Sequence, residues 1–177
     1  MSIIERALSF ISYNEKVFSK HPFLDEKKKV IHCNCASFIS FALNSTTFFR
    51  ANEFYNALAQ KKLGNPISNF NELGPGDILC WKKDIVPKNG DSGHMAIIYK
   101  IENDPNSALQ KVWVLDSSKL PHDQDKRTEG PGLGLMRIEI DDDKKMIGLQ
   151  WSSERKKIKR TALLAIRLTS IELKDFS

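Results

Sequence analysis

Three positions spread along the 177-residue chain carry side chains able to act together in nucleophilic chemistry: Cys35, His94 and Asp116. Cys35 follows Asn34, a residue type that caps helix starts well, so the sulfur is expected on the first helical residue. There it meets the positive end of the helix dipole and unpaired backbone N–H groups, both of which favour a thiolate. Phe38, Ile39 and Ala42 share its helical face, which turns the sulfur toward whatever the helix packs on. The competing reading is that Cys33 and Cys35 are small buried hydrophobes. His94 opens the apolar run Met95-Ala96-Ile97-Ile98-Tyr99 directly after a polar loop. It reads either as a satisfied core histidine or as the base for a nearby thiol. Asp116 ends the run Val112-Trp113-Val114-Leu115, as a turn residue or as the carboxylate that orients an imidazole.

These alternatives bear on one another. If the two runs pair antiparallel, the start of the first lies beside the end of the second. The two-residue strand period puts His94, Ala96 and Ile98 on one face, and Val112, Val114 and Asp116 on one face. His94 and Asp116 are then expected within hydrogen-bond reach at one end of the hairpin, with the Cys35 sulfur near the other imidazole nitrogen. That is the nucleophile, base and orienter of acyl-transfer chemistry.

The elements needed to position them can be read coarsely. Ile3, Ile4, Ala7, Leu8, Ile11 and Val17 recur near helical spacing, up to a stop at Pro22. A second helix starts near Asn34, and a third is expected over Ala51 to Leu63, stopped by Gly64. After Pro66 come short runs bounded by turn residues: Asp77 to Trp81, His94 to Ile101, Lys111 to Asp116, Leu133 to Ile140, Met146 to Trp151 and Thr161 to Leu168. Helices first and strands afterwards predict an α+β fold, with N-terminal helices packed on an antiparallel sheet of about five to six strands. One domain over residues 1–177 is expected, since neither half could bury its apolar face alone.

In three places the chain resembles the NlpC-type papain-like cysteine peptidases. Asn34-Cys35-Ala36-Ser37-Phe38-Ile39-Ser40 is similar to their nucleophile helix start. Leu73-Gly74-Pro75-Gly76-Asp77-Ile78-Leu79-Cys80-Trp81 is similar to their Gly-Asp strand, and Gly93-His94-Met95-Ala96-Ile97-Ile98-Tyr99 to their histidine strand. The resemblance implies a papain-like fold with Cys35 as nucleophile, His94 as base and Asp116 as the third polar residue. It also implies hydrolysis of amide bonds in peptides of the bacterial cell-wall type, such as muropeptides. Two rival classes remain: a cysteine acyltransferase of related fold, which passes through the same thioester, and a non-catalytic binding module.

Composition narrows the rest. The chain is 41% apolar and 28% charged, values of a globular protein, with a net charge of +5. No apolar run nears the roughly 20 residues of a membrane span, and the start reads as no signal peptide. Three cysteines favour a reducing compartment, so a cytoplasmic protein, or one exported without a recognisable signal, is expected. No cofactor is called for. No metal is expected either, because Cys33-x-Cys35 lacks a second ligand pair despite His32, Cys80 and His122. The basic stretch from Lys144 to Arg160 holds one aromatic residue, Trp151, and reads as a solvated hairpin without nucleic acid as partner. Arg127, beside the Gly130-Pro131-Gly132-Leu133-Gly134 stretch, is read as a loop residue near the cleft able to hold a substrate carboxylate. His32 is a candidate for the second donor to an oxyanion.

Overall fold

A computed structural model describes residues 1–167 of the chain. Helix α1 spans Ile3–Ile11. Ser2 caps it: its Oγ accepts from the Glu5 N–H at 3.2 Å, and its own N–H donates to the Glu5 carboxylate at 2.7 Å. This reciprocal box fixes the first turn. The apolar stripe is complete by Ile11, and the chain leaves the helix at Ser12. Val17, expected on this helix, lies instead in strand β1 (Glu15–Phe18). β1 pairs in parallel with β3 (Val30–Cys33), and β2 (Phe23–Asp25) pairs antiparallel on the other side of β3. Pro22 therefore precedes a strand and does not close a helix. Residue 17 fits a helical repeat by spacing, but a backbone partner in β3 decided its state.

Helix α2 covers Cys35–Ala42 and α3 covers Ala51–Ala59. The second ends four residues before the expected Leu63, because Lys61 adopts a left-handed backbone with φ 59°.

Seven further strands form one antiparallel sheet: β4 (Ile78–Lys82), β5 (Gly93–Glu102), β6 (Leu109–Ser118), β7 (Gly130–Ile140), β8 (Met146–Gln150), β9 (Lys159–Arg160) and β10 (Leu164–Ile166). Their order is β10-β4-β5-β6-β7-β8-β9. The α+β expectation stands, and the strand count is seven in place of five to six. The chain from Lys159 to Ile166 is divided between β9 and β10, so only Leu164–Ile166 of the expected run Thr161 to Leu168 forms a strand, and Leu168 lies outside the described residues. This division curls the sheet. Thr161 donates to the Ile147 carbonyl at 3.1 Å and Leu163 to that of Met146 at 3.4 Å. Three residues later the same segment pairs with β4 at the far end of the strand order.

Curling buries both faces. Outside, the three helices pack Phe10, Phe38, Phe54 and Leu58 against Cys80, Met95, Ile97 and Leu115. Inside, Leu79, Ala96, Ile98, Val112, Val114, Met136 and Ile138 form a second core. The alternation of Leu79 with Cys80 and of Ala96 with Ile97 follows the strand period. Each fully buried Leu- or Ile-sized side chain gains about 1.5–3 kcal/mol, so both faces hold the sheet in place. No described helix is long and apolar enough to cross a membrane.

Candidate active site

Cys35 is the first residue of α2, as the cap residue predicts. Asn34 Oδ1 accepts from the Ser37 N–H at 3.0 Å, and Ser37 Oγ accepts from the Asn34 N–H at 2.9 Å. The box satisfies the third N–H of the helix and leaves those of Cys35 and Ala36 without an intrahelical acceptor. A second tie sets the helix start against the sheet. Ser117 Oγ, fully buried on β6, donates to the Cys33 carbonyl at 2.8 Å. The nucleophile's approach strand is therefore fastened to the neighbour of Asp116.

His94 stands at the start of β5, opposite Trp81 of β4. Gly93 before it has φ +152°, and a Cβ there would come 2.1 Å from the Trp81 carbonyl oxygen. Only glycine lets β5 begin this close to β4. β5 and β6 pair antiparallel with Ile97 opposite Leu115 and Ile98 opposite Val114. This brings together the two faces the strand period defines. His94 Nε2 donates to Asp116 Oδ2 at 2.5 Å, and the Cys35 thiol is a further hydrogen-bond partner of the imidazole. With Nε2 taken, Nδ1 is left for the sulfur. Burial opposes a charge on His94, but the facing Cys35 and Asp116 charges and their hydrogen bonds outweigh it. The imidazole is pushed up to about 10.

Asp116 is held from every direction. His122 Nε2 lies 3.0 Å from the same Oδ2, while His122 Nδ1 donates to the Trp151 carbonyl at 3.1 Å. Arg127 Nη2 lies 2.6 Å from Oδ1, and its Nη1 donates to the Asp116 and Gly130 carbonyls at 3.1 and 2.9 Å. Arg127 Nε donates to Asp125 at 2.5 Å. Burial alone would raise the Asp116 carboxyl. The Arg127 guanidinium, the His122 ring and the two histidine hydrogen bonds overcome it and hold the group well below the usual carboxylate range.

Arg127 thus does not reach a substrate. Its side chain is 2% exposed and anchors the orienting carboxylate, so the expected role on a ligand is corrected. The stretch beginning at Gly130 is not a loop but the first part of β7, paired with β6 so that Gly132 faces Asp116. A Cβ on Gly132 would lie 2.3 Å from Arg127 Nε, and one on Gly134 would lie 2.6 Å from the His122 Cβ. The glycines make room for the segment 122–127 to fold across the strand. Sequence reasoning did not assign His122 to the triad's support, and it gave Arg127 a different role. The available signal was His122, Asp125 and Arg127 at close spacing immediately before three glycines in five residues.

The other thiols differ sharply from Cys35, which is partly exposed. Burial pushes Cys33 up to about 12, and Cys80 higher still. The expected second oxyanion donor, His32, pairs with Glu15 at 2.5 Å and does not line the cleft. Among the described residues no set of three His, Cys, Asp or Glu side chains is placed to hold a metal ion. Cys35 and His94 open into a cleft of about 1120 Å³. Trp81 and Trp151 lie against His94, with ring centroids 5.1 and 5.0 Å away, and Trp151 stacks on His122 at 4.0 Å. No protein-family model, curated protein or solved structure matches the chain.

Proposed function

We propose that this chain is a cysteine-dependent amide hydrolase with a papain-like, NlpC-type arrangement, acting on peptides of the cell-wall type. One observation carries the reading: a partly exposed cysteine at a helix start shares an imidazole with a buried carboxylate, all opening into one cleft. The ordered similarity of the Cys35, Asp77 and His94 segments to that peptidase class supports the same assignment.

In this mechanism the Cys35 sulfur attacks the amide carbon, and the carbonyl π electrons move onto oxygen. The oxyanion accepts the unpaired Cys35 N–H at the helix start, where the dipole favours negative charge. Collapse breaks the C–N bond as the His94 imidazolium gives its proton to the leaving amine. His94, now neutral, takes a proton from water, which attacks the thioester; the acid leaves and the thiol–imidazole pair is restored. Asp116 keeps Nε2–H in place throughout, so Nδ1 remains the nitrogen that exchanges protons with sulfur and substrate.

The test is product analysis by mass spectrometry on a panel of muropeptides and acyl lipids. A new free amine and carboxylate from a muropeptide is expected with the wild-type chain. Cys35→Ala is expected to lower turnover by roughly 10⁴-fold or more, while its thermal midpoint stays within a few degrees. Cys33→Ala is expected to retain turnover and to lose stability, because Cys33 is fully buried. Loss of turnover in Cys33→Ala with full activity in Cys35→Ala would overturn the assignment. Transfer of the acyl group to an added amine would place the chain with the transferases instead.

A further inference from the structure

The cleft that holds Cys35 and His94 is lined by nine lysine and arginine residues and one carboxylate, Asp91. The whole chain has 27 such cations against 22 acids, so composition alone does not produce this imbalance. One of the nine is in an ion pair, and another is held by backbone carbonyls. Lys83 pairs with Asp91 at 2.7 Å, and Arg50 turns its guanidinium onto the carbonyls of Pro87, Lys88 and Gly90. The remaining seven make no ion pair among the described residues. They are Lys20, Lys88, Lys119 and the cations of the segment 155–159. Four separate stretches of chain supply them: after β1, before β5, after β6, and from the β8–β9 connection into the start of β9. Of the basic stretch Lys144 to Arg160, expected as a solvated hairpin, Arg155, Lys156, Lys157 and Lys159 thus line the cleft.

We infer that the cleft takes an acidic peptide, whose carboxylates flank the amide that Cys35 attacks. The inference rests on the thiol chemistry proposed above and adds the class of substrate. Unpaired cations converging on a recess focus the potential there and raise both the encounter rate and the local concentration of an anion. The cleft exceeds the usual 300–1,000 Å³ of a small-molecule pocket, which suits an extended segment better than a single small anion. A nucleic acid fits less well. It offers no amide to a thiol–imidazole pair in its backbone, and the two tryptophan rings at the cleft are already committed. Trp81 is 3% exposed, and Trp151 is stacked on His122 with its Nε1 donating to the Pro121 carbonyl at 3.0 Å. Neither is a free platform for a base.

The experiment uses the full chain and two peptidyl vinyl sulfones of equal length, one carrying four Glu residues and the other Gln at the same positions. The rate of Cys35 modification is read by intact mass at 50 and 500 mM NaCl. The Glu probe is expected to react roughly 10-fold faster at low salt, with most of the advantage lost at high salt as screening shortens the reach of the charges. The triple variant Arg155→Glu, Lys156→Glu, Lys157→Glu is expected to lose or reverse the preference. Neutral iodoacetamide should still modify Cys35 ahead of Cys33 and Cys80 in this variant. Equal rates for the two probes, with iodoacetamide still selective for Cys35, would overturn the acidic substrate and leave the thiol chemistry standing. If iodoacetamide shows no selectivity, the thiol reading fails on its own. Fluorescence anisotropy of a labelled Glu-rich peptide without an electrophile then decides the charge inference: salt-sensitive binding lost in the triple variant supports it, and no binding overturns it. Tighter binding of a 20-nucleotide oligo-dT than of the Glu peptide, lost in the same variant, would also overturn it, in favour of nucleic acid.

Discussion

The floor and the rim of the cleft hold charge in opposite ways. On the floor, Asp116, His122, Arg127 and Asp125 have side chains at most 2% exposed, and every charge meets an opposite one within 2.5–3.0 Å. On the rim, eight of the nine cations stand without an ionic partner among the described residues. The floor bears the cost of taking charges out of water and recovers it through close, multiple pairing. The rim leaves its charges hydrated and available. The difference separates two tasks. Chemistry needs one imidazole held in one orientation, whereas recognition of an anion needs only a field, which solvated lysines supply without fixed geometry. Substitutions should therefore act on fold and geometry at the floor, and on encounter at the rim.

The largest stability effect is expected at Arg127. Arg127→Met removes the guanidinium from Asp116 and Asp125 and leaves two buried carboxylates short of a partner. Breaking a buried pair in this way costs about 3–5 kcal/mol. For a chain of this length that lowers the thermal midpoint by roughly 6–20 °C. Lys157→Ala on the rim is expected within about 0.5 kcal/mol of wild type. Differential scanning calorimetry of both variants checks the contrast. Similar midpoints for the two would mean that the buried array does not hold the floor.

The floor was only half legible in the sequence. The start of α2 could be read because a cap residue and the following apolar face are local signals. The juxtaposition of His94 and Asp116 could be read because period and antiparallel pairing are local rules applied twice. Arg127 could not, since its role depends on segment 122–127 folding back across β7, a contact that no spacing rule reports. The first residues of the same strand were hidden by their composition: Gly130, Pro131, Gly132 and Gly134 are turn residues by propensity, and here they serve close packing instead. β1 was missed for a related reason. Four residues beside α1 carry no pattern that distinguishes them from a helix end, and only their pairing with β3 decides their state.

A second contrast lies in pH. His94 is raised from its usual 6.5 to about 10. Its pairing therefore contributes fully to stability below about pH 6.5 and loses that contribution as pH rises through about 10. Asp116 is depressed, so its contribution is present above 3.8 and is lost as pH falls below that value. Floor stability is thus expected to be greatest between about pH 4 and 6.5 and to decline on the alkaline side. In His94→Gln the alkaline decline between pH 6.5 and 10 should flatten. Thermal midpoints measured across that range in both proteins check this. An unchanged slope in the variant would remove His94 as the titrating group.

A smaller effect than that of Arg127→Met is expected where floor and nucleophile join. Ser117 Oγ donates to the Cys33 carbonyl, two residues before Cys35. Ser117→Ala removes one buried donor, but the carbonyl keeps the Ser19 N–H at 3.1 Å, so the loss in stability is expected to be about 1 kcal/mol. No charge is removed, and the pH dependence of Cys35 alkylation should keep its shape. What should change is the position of the sulfur relative to Nδ1 of His94. Misplacements on the order of 1 Å cost up to about 10²-fold in reactions that depend on alignment. A several-fold slower turnover with KM nearly unchanged is therefore expected, together with an unshifted pH profile. Arg127→Met, by contrast, should shift that profile, because it alters the charge around Asp116. If Ser117→Ala lowers the thermal midpoint and leaves kcat untouched, the serine only supports the fold. The helix start would then owe its placement to the Asn34–Ser37 box and to apolar packing alone.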